Sequence, residues 1–143
     1  MSWLKSMMEK EPPEPKNPIG TVVIGNIEPD MHDTAKEAVR KALKRAGFKT
    51  IDVGKSAAPQ VFVDKVKESN ADILAISVNT VPAKNNIAKL DEALKADGLK
   101  EKLIIIMGGA AVKKEDAQAI GAIFGKNKEE GVAIAKKAIS EKK

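Results

Sequence analysis

The chain has 143 residues, 43% hydrophobic and 31% charged, which is enough for one domain with a substantial core and too apolar for a disordered tail. It has no cysteine, one histidine and 3% aromatic residues. That excludes disulfide scaffolds, zinc–thiolate and iron–sulfur sites, cysteine nucleophiles, polyhistidine metal sites within one chain and stacking platforms for single-stranded nucleic acid. The net charge of +5 rests on lysines scattered among acids, with arginine only at Arg40 and Arg45, and so reads as a solvated surface rather than a nucleic-acid footprint.

The N-terminal MSWLKSMMEK lacks the sustained apolar core and small-residue cleavage site of a signal peptide. No apolar run approaches the ~20 residues of a membrane span. A cytoplasmic protein with neither a membrane nor a nucleic-acid partner is expected. Trp3/Met7 and Leu4/Met8 recur at helical spacing, and EPPEPKNP then forms a stiff spacer. Residues 1–18 are therefore assigned to an arm and Pro-rich spacer, and residues 19–143 to the folded domain.

From Ile19 the chain alternates regularly. Thr21 to Gly25 is a β-rich run, and Asp33 to Ala46 is helical, with Ala38, Val39, Ala42 and Leu43 on one face and Gly47 as its stop. Lys49 to Val53 is a second strand ended by Gly54, and Pro59 opens a helix carrying Val61, Phe62 and Val66. Asp72 to Ser77 is a third strand. Ala83 to Ala96 follows as a helix with Ile87, Leu90 and Leu94 inward. Leu103 to Met107 is the most apolar strand; Lys113 to Ile120 is a short helix, Ala122 to Phe124 an edge strand, and Asn127 to Ile139 the last helix. Strands apolar on both faces and alternating with helices call for a parallel sheet covered on both sides. The fold class is α/β, a doubly wound, Rossmann- or flavodoxin-like five-stranded parallel sheet in the order 2-1-3-4-5.

In such a sheet ligands sit beyond the carboxyl ends of the strands, where the strand order reverses, here between the first and third strands. That edge receives Asp30-Met31-His32-Asp33-Thr34-Ala35 after the first strand, Ser77-Val78-Asn79 after the third and Gly108-Gly109-Ala110 after the fourth. Each alone has a plain explanation. A loop histidine is usually solvated, a Gly-Gly after a strand is usually a turn, and Asp33 is most simply a helix N-cap.

Together, Gly20 to Val39 (GTVVIGNIEPDMHDTAKEAV), Ser77-Val78-Asn79 and Gly108-Gly109 resemble the cobalamin-binding domain of corrinoid methyltransferases and methionine synthase, and more distantly that of the mutases. The family pattern is D-x-H-x-x-G, S-x-L and G-G at these three loops, and the resemblance covers about residues 20 to 139. It implies that His32 is the lower axial ligand of cobalt in a base-off cobalamin, and that Asp30 holds the other ring nitrogen. It implies that Ser77 completes the relay and lines the cavity for the displaced nucleotide tail, and that Gly108 and Gly109 admit backbone close to that tail. Met31, Asp33, Ala35, Asn79 and Ala110 complete the cofactor-binding set.

Three residues depart from the pattern. Ala35 replaces the last glycine, Asn79 puts an amide where the family has leucine in an apolar wall, and Pro29 stiffens the approach to Asp30. Residues 1–18 are too few for the helical bundle that usually caps the corrin's upper face in methyl carriers. That face is therefore expected to be open, covered by the arm, or covered by another subunit.

The implied function is a stand-alone corrinoid protein. It would carry methyl groups on methylcobalamin or another corrinoid, for methyltransferase subunits, with no activity alone. The small cobalamin subunit of an adenosylcobalamin-dependent mutase and a storage or chaperone module stay open, as does self-association. A receiver-like domain shares the topology, but Ser77-Val78-Asn79 offers no acidic phospho-acceptor.

Overall fold

A computed structural model describes residues 10–142, so the proposed contacts of Trp3, Leu4, Met7 and Met8 lie outside the described residues. Apolar runs become strands wherever both faces are covered. β1 (Thr21–Ile27), β2 (Lys49–Ala57), β3 (Ile73–Ser77), β4 (Ile104–Gly108) and β5 (Ile123–Phe124) form one parallel sheet in the order β2-β1-β3-β4-β5. This is the expected order, and it puts the switch point between β1 and β3.

The helices divide between the two faces. On one face α2 (Pro59–Ser69) and α4 (Ile87–Ala96) bury Phe62, Val66, Leu90 and Leu94 against Val23, Leu74 and Met107. On the other, α1 (Thr34–Arg45) and α6 (Lys128–Lys142) bury Leu43, Ala135 and Ile139 with Val22, Ile24 and Phe48. Each fully buried large aliphatic or aromatic side chain contributes ~1.5–3 kcal/mol. The slot described below opens into the second core at Ile24, Ala75 and Ile106.

Three elements differ from the sequence expectation. β2 runs past Gly54 to Ala57, with Gly54 and Ser56 at φ +86° and +50° and a register irregularity against β1. Lys55-Ser56 carries no apolar signal, and its extension rests on backbone pairing: the Ser56 N–H donates to the Asp30 carbonyl at 2.9 Å, and the Glu28 N–H to the Ala57 carbonyl at 2.9 Å. The expected helix from Ala83 to Ala96 divides into α3 (Val81–Lys84), whose N-cap Thr80 hydroxyl accepts from the Ala83 N–H at 3.3 Å, and α4. At the break Asn86 turns its side chain away to donate to the Glu28 carbonyl at 2.7 Å, the competition that makes asparagine a poor helix interior. A 3-10 turn at Lys100–Lys102 leads into β4, and α5 (Lys114–Gln118) precedes β5.

The spacer is not loose. Pro12 is buried, and Glu11 accepts from the Arg40 guanidinium at 2.8 and 2.6 Å and from Lys44 at 2.8 Å, while Lys44 also reaches Glu14 at 2.8 Å. On the same helix the buried Lys36 donates to both oxygens of Asp52 at 2.9 and 2.7 Å, fixing the start of α1 to β2.

Candidate functional site

Parallel pairing puts Asn26, Ser77 and Gly108 side by side at the carboxyl ends of β1, β3 and β4. Above them the β1–α1 loop turns back, with the Asp30 N–H on the Ile27 carbonyl at 2.9 Å, and drops the Asp30 side chain into full burial. The carboxylate is met by nitrogen donors. Oδ1 accepts from the His32 backbone N–H at 3.0 Å and lies 3.2 Å from His32 Nδ1; Oδ2 accepts from Asn26 Nδ2 at 3.2 Å and from the backbone N–H and Nδ2 of Asn79, both at 2.9 Å. Burial alone would raise the Asp30 pKa. The donors from His32, Asn26 and Asn79 outweigh it and hold the carboxyl below its ordinary value of 3.8.

An ionised carboxylate only accepts, so the contact calls for an N–H on His32 Nδ1; in the neutral imidazole that tautomer carries its lone pair on Nε2. The His32 side chain is 74% exposed while Asp30 is 0% exposed. The result is a single, oriented imidazole presented to solvent from a buried carboxylate. Among the described residues no group of three or more His, Asp or Glu side chains could hold a bare metal ion. One neutral imidazole suits a transition metal whose other positions a macrocycle supplies.

Beside this pair lies a cleft of about 670 Å³ between α1 and α6, floored by Ile24, Ala75 and Ile106. Of the expected site residues, Ala35, Ser77, Asn79, Gly108, Gly109 and Ala110 line it. Met31 and Asp33 do not: Met31 is 58% exposed on the loop, and Asp33 sits at the start of α1. The expected Asp33 side-chain cap is absent. Its backbone (φ −94°, ψ 1°) is not extended, and only its carbonyl engages, accepting from the Glu37 N–H at 2.8 Å.

Two further expectations change. Ser77 does not complete a relay to Asp30: the bond it makes runs from Asn79 Nδ2 to its hydroxyl at 3.1 Å, so an amide stands between hydroxyl and carboxylate. Asn79 is accordingly no intrusion into an apolar wall. Its Nδ2 also lies 3.1 Å from the His32 carbonyl, and its Oδ1 accepts from the Ala110 N–H at 3.1 Å. The glycine pair is required by the protein's own backbone. A Cβ at Gly109 (φ +124°) would lie 2.1 Å from the Val78 carbonyl oxygen, and one at Gly108 would lie 2.7 Å from that of Gly125.

The wall built by Gly125, Lys126, Asn127 and Gly131 went unread in the sequence. Its one signal there is Gly131 inside a helix, where glycine costs ~1 kcal/mol against alanine and so points to a reason other than helix propensity.

A buttressed imidazole at the switch point of a doubly wound sheet, beside a slot lined by small residues, defines an α/β domain built to carry a metal-centred cofactor. Residues 20–135 match the B12 binding domain family, and the chain belongs to it. The chain is 38% identical over 133 residues to trimethylamine corrinoid protein 2 of Methanosarcina mazei, covering 92% of this chain and 61% of that protein. The crystal structure of a cobalamin-binding protein from Desulfitobacterium hafniense DCB-2 superposes with a TM-score of 0.79 at 32% identity, over 83% of this chain and 58% of that one. At 22% identity and a TM-score of 0.81, the fold also recurs in the methanol:cobalamin methyltransferase complex of Methanosarcina barkeri, over 86% of this chain and 47% of that one. The chain thus spans about three fifths of the length of the curated relative. No helix among the described residues is long and apolar enough to cross a membrane.

Proposed function

We propose that this domain is the corrinoid carrier of a methyltransferase system, with His32 as the lower axial ligand of a base-off cobalamin. The observation that carries the reading is the exposed His32 imidazole held by the fully buried Asp30 next to the cleft. Membership of the family and the similarity to a trimethylamine corrinoid protein support a methylated amine as the methyl source.

When bound, the corrinoid supplies a cobalt centre that accepts and releases a methyl group. The chain's own residues do the holding. His32 offers one nitrogen lone pair, and Asp30 fixes the tautomer. The small-residue cleft along Ala35, Ser77, Gly108 and Gly109 receives the displaced nucleotide tail. Ala35 adds only a methyl at the exposed mouth of that cleft. Asp30 is committed to nitrogen donors, so it orients the imidazole and does not serve as a catalytic acid. Methyl donation and acceptance then fall to partner methyltransferase subunits.

The test is reconstitution with methylcobalamin and, separately, adenosylcobalamin, followed by gel filtration and visible spectroscopy. Retention of the methyl form with a histidine-ligated spectrum supports the reading, whereas selective retention of the adenosyl form indicates a mutase subunit. His32→Ala should shift the bound cobalt(III) spectrum to the base-off form at neutral pH. Identical spectra for wild type and His32→Ala across the pH range would overturn the ligand assignment.

A further inference from the structure

Asn79 touches all three loops of the site. Its backbone N–H and Nδ2 bond Asp30 and its Nδ2 also reaches the His32 carbonyl, all in the β1–α1 loop, while its Oδ1 accepts from the Ala110 N–H at the end of the glycine turn. The amide has one workable orientation. Reversed, it would set its oxygen against the Asp30 carboxylate and the His32 carbonyl, and its NH2 against the Ala110 N–H. Leucine keeps the backbone N–H bond to Asp30 but makes neither set of side-chain bonds. Aspartate keeps the acceptor for Ala110 but places a second carboxylate oxygen where Asp30 Oδ2 now receives a hydrogen bond at 2.9 Å.

We infer that Asn79 is a positioning residue that couples the cleft to the cobalt-binding imidazole: a corrinoid whose nucleotide tail occupies the cleft secures the Ala110 turn, and through Asn79 it secures the setting of Asp30 and His32. This rests on the corrinoid reading above. Coupling between two parts of one ligand is reciprocal, so imidazole ligation strengthens retention of the tail to the same degree. The consequence is selectivity. The domain favours tailed corrinoids over tail-less ones by more than the tail's own contacts supply.

The experiment compares retention of cobalamin with that of cobinamide, which lacks the nucleotide tail, in wild type, Asn79→Leu, Asn79→Asp, His32→Ala and the His32→Ala/Asn79→Leu double variant. Circular dichroism melts of the apo-proteins identify which variants fold, and Asn79→Asp serves if Asn79→Leu does not. Asn79→Leu should lower the cobalamin-to-cobinamide preference about tenfold and move the cobalamin spectrum toward base-off, with Asn79→Asp at least as severe. In the His32→Ala background the same substitution should leave the preference unchanged, because there is no ligation left to couple. An equal loss in that background would overturn the inference, since Asn79 would then be a wall residue touching the tail directly. So would an unchanged preference and spectrum in both Asn79 variants. If the wild type retains neither corrinoid, the corrinoid reading itself fails and the coupling falls with it.

Discussion

Asp30 is the residue on which the site turns, because its burial is tolerable only as an anion surrounded by donors. Asp30→Asn keeps the shape but replaces an acceptor oxygen with a donor among N–H groups, and it loosens the hold on His32. Outer-shell changes of this kind typically cost ~10–100-fold in metal affinity. Titration with aquacobalamin, read as the histidine-ligated fraction, should show a loss in that range, and no change would mean that Asp30 is dispensable for orientation. The same carboxylate bears on the apo-protein. Its pKa is depressed below 3.8 in the folded state, so its contribution to stability is present above that value and fades as pH falls below it. The gap in melting temperature between wild type and Asp30→Asn should therefore be full at neutral pH and shrink in acid. A gap that stays constant down to pH ~2 would contradict this. Asn26 is the less comfortable neighbour. It donates to Asp30 and to the His32 carbonyl, yet its buried Oδ1 has no partner among the described residues, a state that typically costs ~1–3 kcal/mol.

At the scale of elements, the spacer and α1 act as a pair. Glu11 has its carboxyl held at about 2 rather than 4.5, chiefly by the hydrogen bonds from Arg40 and then Lys44. These bonds are intact above pH 4.5 and are lost as pH falls toward 2. Glu11→Gln should release the spacer at neutral pH. Trypsin would then cut after Lys16 faster than in wild type while leaving the domain intact, and added salt should narrow the difference. Equal cleavage rates would show that the ion pairs do not hold the spacer.

The elements also show what sequence can and cannot carry. Continuous apolar runs such as Ile73–Ser77 announce buried parallel strands, and the order of the strands follows from their count and alternation. The tail of β2 and the break before Ile87 are set by backbone bonds to Glu28 and Asp30, which leave no hydrophobic trace. At the site, the D-x-H spacing singles out Asp30 and His32, which the fold places 3.2 Å apart. The role of Asn79 could not be read, because it depends on three loops meeting, and the pattern alone made it an intrusion.

At the scale of the whole molecule, the site is a place where the fold leaves a core unfinished. The face under α2 and α4 is filled by Phe62, Leu90, Leu94 and Met107, whereas the face under α1 and α6 meets the cleft with Ala38, Val39, Ala75 and Gly131. Small residues on two facing helices and the strand between them keep the slot open, and stability is given up to do so. Gly131 makes the trade measurable. A Cβ there would find nothing nearer than Val39 Cγ1 at 3.9 Å, an ordinary contact, so Gly131→Ala is free of strain. Replacing a helix-interior glycine should add about 0.8–1.0 kcal/mol, raising the apo melting temperature by ~2–4 °C in a domain of this size. The same methyl projects toward the Val39 side of the cleft and narrows it, so cobalamin should dissociate faster from the stabilised variant. If the tail occupies the slot as proposed, Gly131→Leu should fold and retain cobinamide while losing cobalamin. If Gly131→Ala stabilises the apo-protein but cobalamin leaves both Gly131 variants at the wild-type rate, the tail does not lie between α1 and α6, and the small residues there serve packing alone.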